Sequence, residues 1–189
     1  MFNEYIENFI SLDECTELIN FGLSCNLIDM QSTSFDNGGN PLKNHNSNFL
    51  KRKGYYFTNK EKHQKTIKNL SSKIIEISNK LSPFKSTLYT VCDKYTFNKY
   101  GSGDFLKWHS DMQEIKNAGT ITIILQLNDD YIGGDIKYKI NNIEYVVPKK
   151  AGSIFVFDCN VPHMIEEVES GNRYSINAWP SHKKIITII

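Results

Sequence analysis

The sequence predicts an α+β chain that is mainly β: a double-stranded β-helix (jelly-roll) core with N-terminal supporting helices. Three observations predict it. From residue 87 onward, short runs rich in Tyr, Ile, Val and Phe alternate with glycine and asparagine turn signals, the pattern of many short strands. Before that point, two segments carry apolar residues at helical spacing. No internal repeat or linker divides the 189 residues, so 1–189 reads as one domain, with 1–86 as helical support and loop and 87–189 as the barrel.

Each element has its own reason. Ser11 and Glu14 have the spacing of a capping box, and Leu12, Cys15, Leu18 and Ile19 follow on one helical face, which predicts a helix over 12–22. Residues 31–48 are rich in Asn, Gly and Ser without periodicity, and predict a mobile surface loop. Ile67, Leu70, Ile74, Ile77 and Leu81 mark a second helix over 61–81, ended by Ser82-Pro83. Strands are expected at 88–98, 104–111, 120–127, 135–140, 143–147, 153–157, 163–168, 173–179 and 183–189. Gly101-Ser102-Gly103, Gly133-Gly134, Asn141-Asn142, Ala151-Gly152 and Ser170-Gly171-Asn172 separate them.

Composition excludes several classes. A net charge of +1 points to neither nucleic acid nor an anionic membrane. No apolar run approaches the ~18 residues that span a bilayer, and Met1 to Ile10 lacks the basic start of a signal peptide. The four cysteines form no CxxC pair, as expected of reduced thiols in the cytoplasm. Of 22 basic residues, 20 are lysine, so an arginine marks a place where lysine will not serve. The two are Arg173 and Arg52, and the run Lys51-Arg52-Lys53 reads as a solvated basic edge.

The candidate chemistry lies in the second half. His109 and Asp111 flank Ser110, and on a strand residues i and i+2 share a face and can bind one ion. His163, after the turn Asn160-Val161-Pro162, supplies a second imidazole. Two imidazoles and one carboxylate are the ligand set that holds Fe(II) facially and leaves coordination positions open. Arg173 follows ten residues later and can grip a carboxylate with two parallel hydrogen bonds. With 163–168 and 173–179 as neighbouring antiparallel strands, Arg173 and Ser175 would point into the same barrel. Iron, open positions and a carboxylate clamp together suggest an oxygenase that consumes a keto acid.

The stretches KYGSGDFLKWHSD, LQLNDDYIGGDI, KKAGSIFVFDCNVPHMIEEV and GNRYSINAW resemble the prolyl 4-hydroxylase-like branch of the 2-oxoglutarate- and Fe(II)-dependent dioxygenases, over about residues 95–180. The opening IENFISLDECTELINF is similar to that family's N-terminal entry. The resemblance implies iron ligation by His109, Asp111 and His163, and a grip by Arg173 on the distal carboxylate of 2-oxoglutarate. It places Tyr100 and Trp179 along the cosubstrate pocket, and Gln126 where some relatives use a tyrosine. The implied reaction uses Fe(II), 2-oxoglutarate and O2, with ascorbate as reductant. It runs through decarboxylation to succinate and a ferryl intermediate, and hydroxylates a peptidyl proline. The implied partner is a peptide or protein, or else a small molecule or another amino-acid side chain.

Rival readings explain less. Nucleic-acid demethylases of the AlkB type carry a second arginine beyond the R-x-S position, and no arginine follows Arg173 here. A non-catalytic jelly-roll sensor would have shed a ligand or the clamp. A zinc hydrolase accounts for the triad but leaves Arg173 and Ser175 without a task. Lys51 to Phe57, and the loop before it, could border substrate or form an exposed strand.

Overall fold

The structure is a computed structural model and describes residues 2–30, 32–35, 41–44, 48–57, 65–81, 87–92, 95–111 and 121–184. Two antiparallel sheets face each other, as the jelly-roll expectation requires. The larger has seven strands in the spatial order Asn3–Ile6, Ile154–Asp158, Ile121–Gln126, Arg173–Ala178, Tyr95–Tyr100, Lys53–Phe57 and Ile28–Asp29. The smaller has five, in the order Ile143–Val146, Ile136–Ile140, His163–Ile165, Phe105–His109 and Leu50–Lys51.

Alternation along the strands of the larger sheet divides the molecule into two cores. Phe97, Ile123, Leu125, Ile154, Val156, Ile176 and Ala178 face outward and pack under the helices. Helix α1 (Leu12–Ser24) starts at the expected capping box, in which Ser11 accepts from the Glu14 amide and Glu14 accepts from the Ser11 amide. Helix α2 (Lys65–Leu81) buries Ile67, Leu70 and Ile74, and residues 61–64 of its expected range lie outside the described residues. Lys73 of α2 donates to Glu14, joining the two helices. Gly22 of α1 sits directly on the Phe97 ring, where a Cβ would lie 2.4 Å from ring carbons. Ile124, Phe155 and Phe157 point the other way and meet Leu106, Ile136 and Ile165 of the smaller sheet.

Several sequence expectations are corrected. Within 31–48, Ser32–Phe35 pairs with Pro41–Asn44 as a hairpin, so those residues are not an irregular loop. The run 88–98 is two strands: Thr87–Val91 pairs with Ser181–Lys184, and Tyr95–Tyr100 enters the larger sheet. Residues 185–189 of the last expected strand lie outside the described residues. The N-terminal part is more than helical support, because Asn3–Ile6, Ile28–Asp29, Leu50–Lys51 and Lys53–Phe57 all join the sheets. The segment 163–168 also divides. His163–Ile165 belongs to the smaller sheet, whereas Val168–Ser170 pairs with Ile132–Gly133. Arg173–Ala178 therefore lies opposite His163–Ile165, not beside it. The Glu166 amide turns to the Asp135 carbonyl as the chain leaves the smaller sheet.

Candidate active site

His163 and His109 are register partners on adjacent strands, which brings their rings to 4.1 Å between centroids. The strand ends at His109, and Asp111 lies beyond it. Its placement is thus not the simple i, i+2 alternation of a strand. The Asp111 amide donates to the Cys159 carbonyl, which pins the carboxylate beside the two imidazoles. His109 Nε2 and His163 Nε2 lie 3.5 and 3.8 Å from Asp111 Oδ1. All three candidate ligand atoms fall within 4.8 Å of one another.

The hydrogen bonds behind these atoms decide their chemistry. His109 Nδ1 meets the Lys107 carbonyl at 2.9 Å and His163 Nδ1 meets the Val161 carbonyl at 3.0 Å. A carbonyl only accepts, so each Nδ1 carries the proton, and in the neutral imidazole each Nε2 presents a lone pair. Asp111 Oδ2 accepts from Thr122 Oγ1 at 2.7 Å and from Trp179 Nε1 at 3.2 Å, leaving Oδ1 toward the imidazoles. Three acceptors aimed at one point repel unless a cation lies among them. The donor set therefore fits a divalent metal, and outer partners of this kind orient ligands in metal sites.

Electrostatics agree. Burial alone would raise the Asp111 carboxyl, but His163, His109 and Thr122 hold it well below the usual carboxylate range. Burial pushes the His163 imidazole down to about 4 against the opposing pull of Asp111, so it is neutral at pH 7.

Arg173 enters the barrel from the larger sheet and is 1% exposed. It donates to Ser175 Oγ and Gln126 Oε1, each at 3.0 Å, while its Nε has no partner. No carboxylate among the described residues pairs with it. A fully buried guanidinium without a counter-charge is costly, and a bound carboxylate would relieve that cost. Gln126 is itself held, with its Nε2 donating to Tyr131 and to the Asn128 carbonyl. The Tyr100 ring lies 5.2 Å from the Arg173 guanidinium carbon.

A sequence model described as the 2OG-Fe(II) oxygenase superfamily matches residues 95–181, the span that carries the three clustered candidate ligands and the buried arginine. Over that span the chain resembles the 2OG-Fe(II) oxygenase superfamily. None of the curated protein sequences matches this chain. Among solved structures it resembles a Pseudomonas putida prolyl-4-hydroxylase with a TM-score of 0.74 at 15% identity, over 96% of this chain and 92% of that one. A Trichoplax adhaerens prolyl hydroxylase, solved with a hypoxia inducible factor peptide fragment, aligns at a TM-score of 0.68 and 18% identity, covering 95% and 83% of the two chains. SnoN, a non-heme alpha ketoglutarate dependent epimerase from nogalamycin biosynthesis, aligns at 0.67 and 13%, covering 98% and 82%.

The chain thus gathers His109, Asp111 and His163 at one end of the inner face, and Arg173, Ser175, Gln126 and Tyr100 at the other. The Trp179 indole N–H donates to Asp111, which places the ring beside the candidate ligands. Arg52 is not a solvated edge residue. It links Leu50–Lys51 of one sheet to Lys53–Phe57 of the other and donates to the Tyr100 hydroxyl at 2.6 Å. Its rarity in a lysine-rich chain was the available signal. Thr122 went unnoticed, although alternation places it on the same face as Ile124 and Gln126. Gly134 also gains a role: at φ +64°, a Cβ there would meet Val168 at 2.8 Å and the Arg173 side chain at 3.4 Å. A side chain would crowd the arginine's path into the barrel.

Proposed function

We propose that this protein is an Fe(II)- and 2-oxoglutarate-dependent hydroxylase of a peptidyl proline. One observation carries the reading: three acceptor atoms converge at one end of the barrel interior while an unpaired, buried guanidinium waits at the other. His109, Asp111 and His163 are the proposed iron ligands, and Arg173 the proposed partner of the distal carboxylate. Bound iron, with 2-oxoglutarate and O2, would supply the oxidising power, and ascorbate would keep the metal reduced. The protein's own task is placement. The Lys107 and Val161 carbonyls hold the imidazole tautomers, and Thr122 and Trp179 hold Asp111 with one oxygen free. Ser175 and Gln126 fix the guanidinium, and Tyr100 lies against it. Phe155, Phe157 and Ile165 keep water from the interior between the sheets.

The peptide preference rests on likeness to prolyl hydroxylases, one of them solved with a peptide. The absence of a CxxC pair supports the cytoplasmic assignment, and no helix among the described residues is long and apolar enough to cross a membrane. The comparable likeness to an epimerase of nogalamycin biosynthesis favours a second reading, oxidation of a small molecule. Both are tested by incubating the protein with Fe(II), 2-oxoglutarate and ascorbate against proline peptides and small-molecule extracts. Succinate formation with a +16 Da peptide product supports the first reading. Succinate coupled only to a small-molecule product supports the second, and no succinate under any condition rejects both.

A further inference from the structure

The inner face of the larger sheet carries polar groups that neither the iron site nor the arginine clamp uses. Tyr95 and Phe97 pack outward under the helices, so Thr96 and Asn98 of the same strand point into the barrel. Asn98 lies opposite Ser175, on which Arg173 rests, and Thr96 lies opposite Asn177. Asn177 in turn faces Ile124, and two residues further along these strands stand Thr122 and Trp179, which hold Asp111. Thr96, Asn98 and Asn177 therefore occupy the interval between the arginine clamp and the metal triad. Any ligand that spans those two anchors crosses them.

These residues are buried and incompletely paired. Asn98 and Thr96 are 0% and 1% exposed. Asn98 Nδ2 donates to the Thr96 carbonyl and to Asn177 Oδ1, each at 3.2 Å, which fixes the amide's orientation. Asn98 Oδ1 and Thr96 Oγ1 have no partner. A methylene chain laid against them would leave both atoms unsatisfied. Neighbouring inner positions are apolar, Ile124 and Phe155 among them, so polarity is not imposed by the sheet. Oδ1 can only accept, so its missing partner is a donor; the threonine hydroxyl can join it in either sense.

We propose that Thr96 and Asn98 are specificity-determining residues that hold a hydrogen-bond donor borne on the central atoms of the bound 2-oxo diacid. The inference rests on the cosubstrate reading above and deepens it. The pocket would accept a 2-oxo diacid with a hydroxyl or N–H between its two ends as well as 2-oxoglutarate itself.

The test is equilibrium binding to the Mn(II)-loaded full chain, read by calorimetry. Its probes are 2-oxoglutarate, N-oxalylglycine (N–H in place of the C3 methylene) and 4-hydroxy-2-oxoglutarate. Thr96→Val removes only a hydroxyl that has no protein partner, so its melting temperature should hold or rise. The variant should bind at least one donor-bearing probe about five- to tenfold less tightly while binding 2-oxoglutarate unchanged. Asn98→Leu should show the same selective loss. Equal weakening for all three probes, or none for any, would overturn the inference. So would a large fall in the melting temperature of Thr96→Val, which would assign the hydroxyl to the fold. Arg173→Ala separates the two levels: it should weaken all three probes alike. If the unaltered protein binds none of them, the cosubstrate reading fails and takes this inference with it.

Discussion

At the scale of single residues, the site is built from pairs in which one group holds another. The Thr122 hydroxyl fills one oxygen of Asp111 and leaves the other toward the imidazoles. Thr122→Val keeps the shape and deletes that bond. Metal affinity should fall roughly ten- to a hundredfold, the usual cost of an outer-shell partner, as measured by competition with a chelating dye. Unaltered affinity would make Thr122 a packing residue only. Arg173 is the sharper case, since its charge has no counterpart among the described residues. Arg173→Ala should weaken 2-oxoglutarate binding roughly ten- to a thousandfold, and Arg173→Lys should fall between, because charge survives but the two-pronged grip does not. Metal affinity should hold in both variants. A titration showing normal 2-oxoglutarate affinity in Arg173→Ala would remove the clamp from the mechanism. His109→Ala or His163→Ala should abolish metal binding and turnover alike, because a facial site cannot lose a ligand and still offer its open positions.

At the scale of elements, the helices support the sheet that carries the clamp. Phe97 packs under α1, and its chain neighbours Thr96 and Asn98 face the barrel interior. Glycine in a helix costs ~1 kcal/mol against alanine, yet at Gly22 the Phe97 ring leaves no room for a Cβ. Gly22→Ala should therefore destabilise the fold by about 1–2 kcal/mol, the overpacking cost exceeding the propensity gain. Calorimetry should find a melting temperature lower by about 2–8 °C; a rise would show that α1 can shift off the sheet. The hairpin Ser32–Phe35 with Pro41–Asn44 illustrates what local pattern conceals. Its residues have neither strand alternation nor strand composition, and only backbone pairing reveals the element.

At the scale of the whole molecule, the two sheets enclose an apolar interior at one place and convergent acceptors at another. Without a cation, the three acceptor atoms oppose the closure of the sheets. Divalent metal should accordingly stabilise the folded chain by mass action, by about 2.7 kcal/mol at a hundred times the dissociation constant. That corresponds to roughly 5–10 °C in melting temperature for a chain of this size. Adding Mn(II) to chelator-treated protein tests it, and the rise should vanish in His163→Ala. An equal rise in that variant would place the metal elsewhere.

Much of this was legible in the sequence, because some signals are local. The capping box at Ser11 and Glu14, the helical faces of α1 and α2, and the alternating strands all depend on residues a few positions apart. The ligand types and the R-x-S spacing are equally local, and with the matching stretches they pointed to the superfamily. What only the tertiary structure decided are relations between distant segments. Arg173 and His163 are ten residues apart but enter from opposite sheets, because the chain crosses between them at Glu166 and Glu167. Arg52 meets Tyr100, and Trp179 meets Asp111, through strand pairings that no spacing announces. Side-chain periodicity says which face a residue takes. Long-range register says what stands across from it, and register is set by packing of the whole sheet.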